Sequence, residues 1–275
     1  MFEVIIFVMF NSSNSSPSGF VWIVGGGPGA SDLITVRGLR ALEAAEVVIF
    51  DELAGRELLE FCPESCERIN VGKRAGRHCA SQGEINRMLV DHARRGLRVV
   101  RLKGGDPSVF AHLGEEIAAL RAAEIPFAVV PGVTAACAAA AAAGVSLTHR
   151  AHASAAIFVT GHECAGKSDL ARVDWESLAR PGVTLCVYMG LRRLESVAGR
   201  LLAGGLPSDT PLTIVSHASG ADQQVLEGTL VDAASLARLA DGLPAMVLIG
   251  AALRPEAASD AAVVEAAGSA LASSP

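Results

Sequence analysis

The chain has 275 residues, of which 51% are hydrophobic and 19% charged, with a formal net charge of −6. Such a length and apolar content can bury two modest cores, and the acidic balance excludes the broad basic face that binding a nucleic-acid duplex requires. Aromatic residues amount to only 4%, so the cores must be aliphatic, with helices that approach closely over small residues.

The first ten residues, Met1 to Phe10, are apolar but too few to span a bilayer, and Glu3 stands where a signal peptide would carry positive charge. A polar stretch, Asn11 to Ser18, follows. Residues 1–18 are therefore read as a non-domain extension, with no membrane partner.

From there short aliphatic runs alternate with helical patterns. Strands are predicted over Val21–Val24, Val47–Asp51, Arg98–Leu102 and Phe127–Val130, and helices over Ser31–Ala45, Ser81–Arg95 and Gly114–Ala123. This alternation predicts an α/β domain with a mainly parallel sheet covered on both faces. Val133–Ala143 is so rich in alanine that a tightly packed helix is expected. A second block of strands, Ala155–Thr160, Thr184–Met189, Leu212–Val215, Gln224–Thr229 and Ala245–Ile249, includes some that adjoin turns, which predicts a mixed sheet. The expected organisation is a first α/β domain over residues 19–132, a second over 133–255, and an alanine-rich tail over 256–275.

The turn Gly104-Gly105-Asp106 directly follows a strand. In open parallel sheets ligands gather at the carboxyl ends of strands, so this turn reads either as a grip on a small ligand or as a tight turn and no more. The loop Gly25 to Gly29 also follows a strand, but Pro28 removes an N–H that a dinucleotide-binding helix start would use. Six cysteines (Cys62, Cys66, Cys79, Cys137, Cys164 and Cys186) lack paired C-x-x-C spacing, and the seven histidines lack ligand spacing. Free thiols in a reducing cytoplasm and no metal site are the expectation.

Several segments occur in one fixed order: Gly25 to Gly29, Phe50-Asp51, Val71 to Gly76, Arg101 to Pro107, Val130 to Thr134, Leu147 to Arg150, Val159 to His162 and Tyr188 to Gly190. Together they resemble the uroporphyrinogen-III C-methyltransferases of the tetrapyrrole methylase family, over about residues 20 to 253. The resemblance implies a cytoplasmic homodimer with two α/β domains and a ligand cleft between them. It also implies S-adenosylmethionine as methyl donor, and two C-methylations that carry uroporphyrinogen III through precorrin-1 to precorrin-2 for sirohaem and cobalamin. In that pattern Asp51 matches the proton acceptor. Lys73 matches the proton donor, and an anchor for substrate carboxylate is an equally good role for it. Pro28, Gly104, Gly105, Asp106, Val109, Thr134, Ala135, Met189, Ala218 and Ala245 match the donor-binding positions. A substrate with eight carboxylates calls for local cations, for which Lys73, Arg74, Arg77, Arg101, Lys103, His149, Arg150 and His152 are candidates.

The chain departs from the family pattern at several points. Ser108 to Glu116 carries Ala111 and Leu113 in place of glycines and His112 in place of an arginine, so His112 takes the substrate-facing position with a weaker cation. Glu52, Ala151 and the run Ser216 to Ala218 also depart. Besides an active enzyme with a retuned pocket, two readings stay open: a non-catalytic or regulatory relative that binds the donor or a tetrapyrrole, and a methyltransferase acting on a later corrin precursor.

Overall fold

The computed structural model describes residues 19–72, 80–162, 173–240 and 244–254, and builds them around two five-stranded sheets. The chain divides into two compact units. The first runs to Ala139 and takes back Ser216–Gln224, while the second comprises Ala140–Val215 and the chain from Val225 on.

In the first unit, β1 (Phe20–Gly25), β2 (Val47–Phe50), β3 (Glu67–Asn70), β4 (Arg98–Lys103) and β5 (Phe127–Val130) are all parallel, in the order β3-β2-β4-β1-β5. Side chains alternate between faces, so each strand feeds two cores. Val24, Val48, Val100 and Leu102 pack with Ala41 and Leu42 of α1 (Val36–Glu43) and with Leu58. Ile23, Ile49 and Val99 pack with Ile85 and Leu89 of α2 (Gln82–Arg94) and Leu120 of α3 (Leu113–Ala122). The same period of two sends Arg101 and Lys103 to the α2 and α3 side.

The connection leaving β1 passes over β4 to reach β2, whereas the connection leaving β4 passes over β1 to reach β5. Adjacent strands whose connections depart in opposite directions open a crevice at their carboxyl ends. Here the two loops flanking it are tied together: the Gly26 amide donates to Lys103 O (2.7 Å), and Gly27 and Gly105 exchange both backbone hydrogen bonds (3.2 and 2.7 Å). Three glycines make this approach sterically feasible. A Cβ on Gly25 would lie 2.6 Å from Gly105 O and 2.7 Å from Gly132 N, and one on Gly132 would lie 2.3 Å from Gly105 O.

The second unit contains β6 (Ala153–Thr160), β7 (Gly182–Tyr188), β8 (Pro211–Ser216), β9 (Gln224–Thr229) and β10 (Ala245–Ile249), ordered β6-β7-β10-β8-β9. β6 and β7 are parallel while β7 and β10 are antiparallel, so this sheet is mixed, as the turn-flanked strands suggested. Its core joins Leu185, Val187, Leu212, Ile214, Val247 and Ile249 to Trp175 of α5 (Trp175–Leu178), Leu201 of α6 (Leu194–Ala203) and Leu236 of α7 (Ala233–Leu239).

The helix read over Ser31–Ala45 is broken: a single 3-10 turn, Ser31–Leu33, precedes α1, whose start is fixed by Thr35 accepting from the Gly38 amide (3.1 Å). The alanine-rich helix is present as α4 (Ala135–Ala143), with Ala136, Ala138, Ala139 and Ala140 buried. Strand β3 was not anticipated, because its sequence Glu-Arg-Ile-Asn has no apolar alternation; main-chain pairing with β2 specifies it instead.

Alanine at Gly132 is expected to destabilise the first unit by about 1–3 kcal/mol, the range for forced overpacking. Alanine at Gly83, exposed in α2 with nothing within 4 Å of its Cβ position, should be neutral or stabilising by about 0.4–1 kcal/mol. Denaturant midpoints of the two variants against the parent check the contrast.

Candidate active site

The crevice at the carboxyl ends of β1 and β4 is bordered by Asp51, the residue after β2, and by the turn that follows β4. Both lie where a strand ends and the chain turns, which is where an α/β sheet presents groups to a ligand.

Asp51 is held by a network of buried ions. Its Oδ2 accepts from Arg101 Nη2 at 2.9 Å, while its Oδ1 is buried and has no hydrogen-bond partner. Arg101 also donates from Nε to Glu116 Oε1 (3.0 Å) and from Nη1 to the carbonyls of Leu102 (3.0 Å) and Ile49 (3.3 Å). Lys103 Nζ donates to the same Glu116 oxygen at 2.7 Å. Side-chain exposure is 3% for Arg101, 4% for Lys103 and 0% for Glu116, so these charges are removed from water and neutralise one another. Burial, followed by the neighbouring Arg101 charge, pushes the Lys103 ammonium below its ordinary pKa, against the pull of Glu116.

Arg101 and Lys103 were expected to line a basic substrate pocket. The structure corrects this, since strand alternation turns both onto the α2 and α3 side, where their nitrogens are engaged by protein. The residue missed was Glu116. Its signal was two cations at alternate positions in a central apolar strand, which demand a buried counter-charge.

In the turn itself, Asp106 accepts through Oδ1 from the Ser108 amide (2.8 Å) and the Ser108 hydroxyl, and through Oδ2 from the Gly132 amide (3.0 Å). Burial works to raise its pKa, but these hydrogen bonds prevail and hold it below the ordinary value. Asp106 thus staples the β4 and β5 ends together. Gly104 is required because its Cβ would lie 2.7 Å from Leu53 O, whereas Gly105, at φ +67°, has nothing within 4 Å on its Cβ side. That bare stretch of main chain facing free space is a cradle which a side chain would fill.

Other predicted positions gather nearby in the same unit. Pro28 and Gly29 lie in the loop after β1, and the segment that returns to this unit packs on it: Ser219 Oγ accepts from the Ala30 amide (3.1 Å), and Ala218 O is 3.4 Å from the Gly29 Cβ position. Thr134 and Ala135 begin α4 after Gly132. Val109 closes the turn by donating its amide to Asp106 O (3.2 Å). His112 is exposed at the start of α3 with its Nδ1 2.8 Å from Glu115 Oε1. Left-handed backbone occurs at Phe110 (φ +51°) and His112 (φ +55°), so the Cβ atoms added at Ala111 and Leu113 fall on positions outside that region.

In the second unit Met189 and Ala245 come together at one end of the β7 and β10 pair, since Met246 pairs with Tyr188. Arg150 lies at the other end of β7, in a cavity of about 410 Å³ whose lining, among the described residues, includes His152, Arg180 and Arg254 and no carboxylate. His149 stacks on His152 (ring centroids 4.7 Å apart) and accepts from the Ala151 amide through Nδ1 (3.1 Å). Lys73, Arg74 and Arg77 lie outside the described residues.

Among the described residues no cluster of three or more His, Cys, Asp or Glu side chains is placed to hold a metal ion, and no helix is long and apolar enough to cross a membrane. Cys62, Cys66, Cys137 and Cys186 are present as thiols, and burial pushes the Cys62 thiol up to about 12.

Residues 21–234 match the family Tetrapyrrole (Corrin/Porphyrin) Methylases. The siroheme synthase of Gluconacetobacter diazotrophicus is 46% identical over 243 residues, covering 88% of this chain and 51% of that protein. The siroheme synthase of Zymomonas mobilis is 46% identical over 232 residues, covering 84% and 48%. The chain thus spans about half the length of these relatives. Among solved structures, uroporphyrin-III C-methyl transferase from Thermus thermophilus complexed with S-adenyl homocysteine superposes with a TM-score of 0.72 at 36% identity, covering 85% of this chain and 98% of that one. A cobalt precorrin-4 methyltransferase superposes at 0.79 with 27% identity, covering 89% and 100%.

The staple predicts a pH dependence. Because the folded-state pKa of Asp106 lies below its ordinary value, its stabilisation is complete above about pH 4 and fades as the pH falls through the folded-state value. Asp106→Asn should therefore lower the unfolding midpoint at pH 7, and the gap from the parent should shrink in denaturation series taken at increasingly acidic pH.

Proposed function

As this chain belongs to the tetrapyrrole (corrin/porphyrin) methylase family, we propose that it transfers methyl groups from S-adenosylmethionine to carbon atoms of uroporphyrinogen III, giving precorrin-2 by way of precorrin-1. The observation that carries the reading is Asp51, a carboxylate gripped on one oxygen and unpartnered on the other, at the end of β2 beside a cradle of bare main chain.

The donor, when bound, supplies an electrophilic methyl group on a sulfonium. Gly104, Gly105 and the Gly25 to Pro28 loop offer backbone atoms at the β1 and β4 ends to hold it. Thr134, Ala135 and Ala218 belong to the same unit, and Met189 and Ala245 are donor-binding positions on the strength of the resemblance. The likeness to a transferase solved with S-adenyl homocysteine supports this assignment. Alignment of two bound partners is the main catalytic requirement of such a transfer, and rigid, glycine-packed loops are suited to it. As a ring carbon gains its methyl group the macrocycle takes on a positive charge and must release a proton from another of its atoms, and Asp51 is the acceptor in this reading. Lys73 is the donor or a carboxylate anchor, with Arg74 and His112 as further contacts.

The substrate's carboxylates need donors, for which Arg150 offers a guanidinium in the second unit and His149 its Nε2–H. The cavity around Arg150, with three guanidinium groups and no carboxylate among the described residues of its lining, supports that part of the reading. The products serve sirohaem or cobalamin formation. A cytoplasmic homodimer is part of the same proposal, which gives no role to a metal.

Incubation with uroporphyrinogen III and S-adenosylmethionine under anaerobic conditions should give the dimethylated product by mass spectrometry. Asp51→Asn is expected to reduce turnover by roughly a hundredfold while calorimetry shows unchanged donor binding. Donor binding by the parent without any methylation would instead favour a binding-only relative.

A further inference from the structure

We propose that Glu116 is a positioning residue for the proton acceptor: from α3 it holds Arg101 so that the guanidinium grips Asp51 through Oδ2 alone and fixes the orientation of the carboxylate. The inference rests on the role of Asp51 proposed above and adds a group that touches neither partner of the reaction.

Three sides of the Arg101 guanidinium are accounted for. Nε is fixed by Glu116 Oε1 at 3.0 Å and Nη1 by the carbonyls of Ile49 and Leu102, which leaves Nη2 to meet Asp51 at 2.9 Å. The two carbonyls belong to the strands that carry Asp51 and Arg101, so they fix one edge of the plane. Glu116 fixes the adjoining edge from a helix, and with both held the direction of Nη2 is determined. Removing the carboxylate would free Nε, and an arginine tethered only at Nη1 can swing Nη2 away from Asp51.

The charges fit the same role. Glu116 shares Oε1 between Arg101 and Lys103, so the three side chains together carry one net positive charge, which Asp51 balances. Gln82 Nε2 also approaches this oxygen, at 3.5 Å. Meanwhile Oε2 is buried with no partner. An arrangement that leaves a buried carboxylate oxygen unpaired is a poor way to gain stability, since apolar residues of similar volume commonly serve as well. Geometric control of Arg101 gives the carboxylate a function that packing does not.

The test is a double-mutant cycle in the full chain. Glu116→Gln should lower kcat by about tenfold or more, leave KM for S-adenosylmethionine within about twofold, and have no further effect in an Asp51→Asn background. Glu116→Asp, which keeps the charge but withdraws it by one methylene, should fall between the parent and Glu116→Gln. Losses that multiply in the cycle, a rise in KM with kcat intact, or an unchanged kcat would each overturn the inference. If Glu116→Gln does not fold, as judged by its circular dichroism melt, the neutral pair Glu116→Gln with Lys103→Met carries the same expectations. Wild-type turnover by Asp51→Asn would remove the underlying assignment; slow turnover there together with normal kcat for Glu116→Gln would remove this inference alone.

Discussion

Two cations sit inside a parallel sheet, and the first unit is organised around neutralising them. Arg101 and Lys103 alternate with Val100 and Leu102 on the central strand β4, so burying the strand's apolar side chains necessarily buries the charges as well. Leaving either unpaired would cost several kcal/mol. The solution joins three elements: α3 brings Glu116, β2 ends in Asp51, and β4 supplies the cations. A consequence is that Asp51 is attached to the core. A carboxylate on a strand-end loop would ordinarily sample several rotamers, whereas this one is held by a guanidinium that is itself held.

A second constraint acts at the same edge of the sheet. Gly25, Gly105 and Gly132 bring three strand ends within backbone contact, and Asp106 ties two of them through the Gly132 amide. The sequence offered two meanings for the Gly-Gly-Asp turn, a ligand grip or a tight turn, and the structure divides them by residue. Gly25, Gly104 and Gly132 are small because protein lies against them. Gly105 is different: its backbone is left-handed, yet the space beside it is open. Asp106 was expected among the donor-binding positions, and its oxygens accept from the Ser108 and Gly132 amides and the Ser108 hydroxyl.

What the letters disclosed follows from how local the signals are. The aliphatic runs of β1, β2, β4 and β5 read directly as strands, those of β2 and β4 being buried on both faces, and the alternation with helices implies a parallel sheet. The mixed character of the second sheet was visible in strands that adjoin turns. β3 was illegible because an edge strand of mostly exposed polar residues is specified by its neighbour, and α6 and α7 lay between strands that drew the reading. For the site, spacing along the chain revealed Asp51 and the glycine turn. It could not reveal that Arg101 and Lys103 point into the fold, because that depends on which face α3 covers, a tertiary fact separated from β4 by a loop.

The distribution of charge then bears on how an acidic protein can hold a polyanion. Net charge is a property of the whole surface, whereas recognition of carboxylates depends on local groups free to donate. In the first unit Arg101 and Lys103 are already engaged by Glu116 and Asp51, so they add little to the field at the crevice. In the second unit Arg150, Arg180 and Arg254 converge on one cavity; Arg254 meets Asp209 at 2.9 Å, and Arg180 uses Nε on Ser177 O. The two units thereby divide the chemistry. One presents a backbone-lined cradle beside a single oriented carboxylate, an arrangement that suits the methyl transfer proposed above. The other gathers Arg150, Arg180 and Arg254, which suits the carboxylate-rich substrate proposed above, and the acidity of the chain as a whole does not weaken them at contact distance because screening in salt confines such fields to about 8–10 Å.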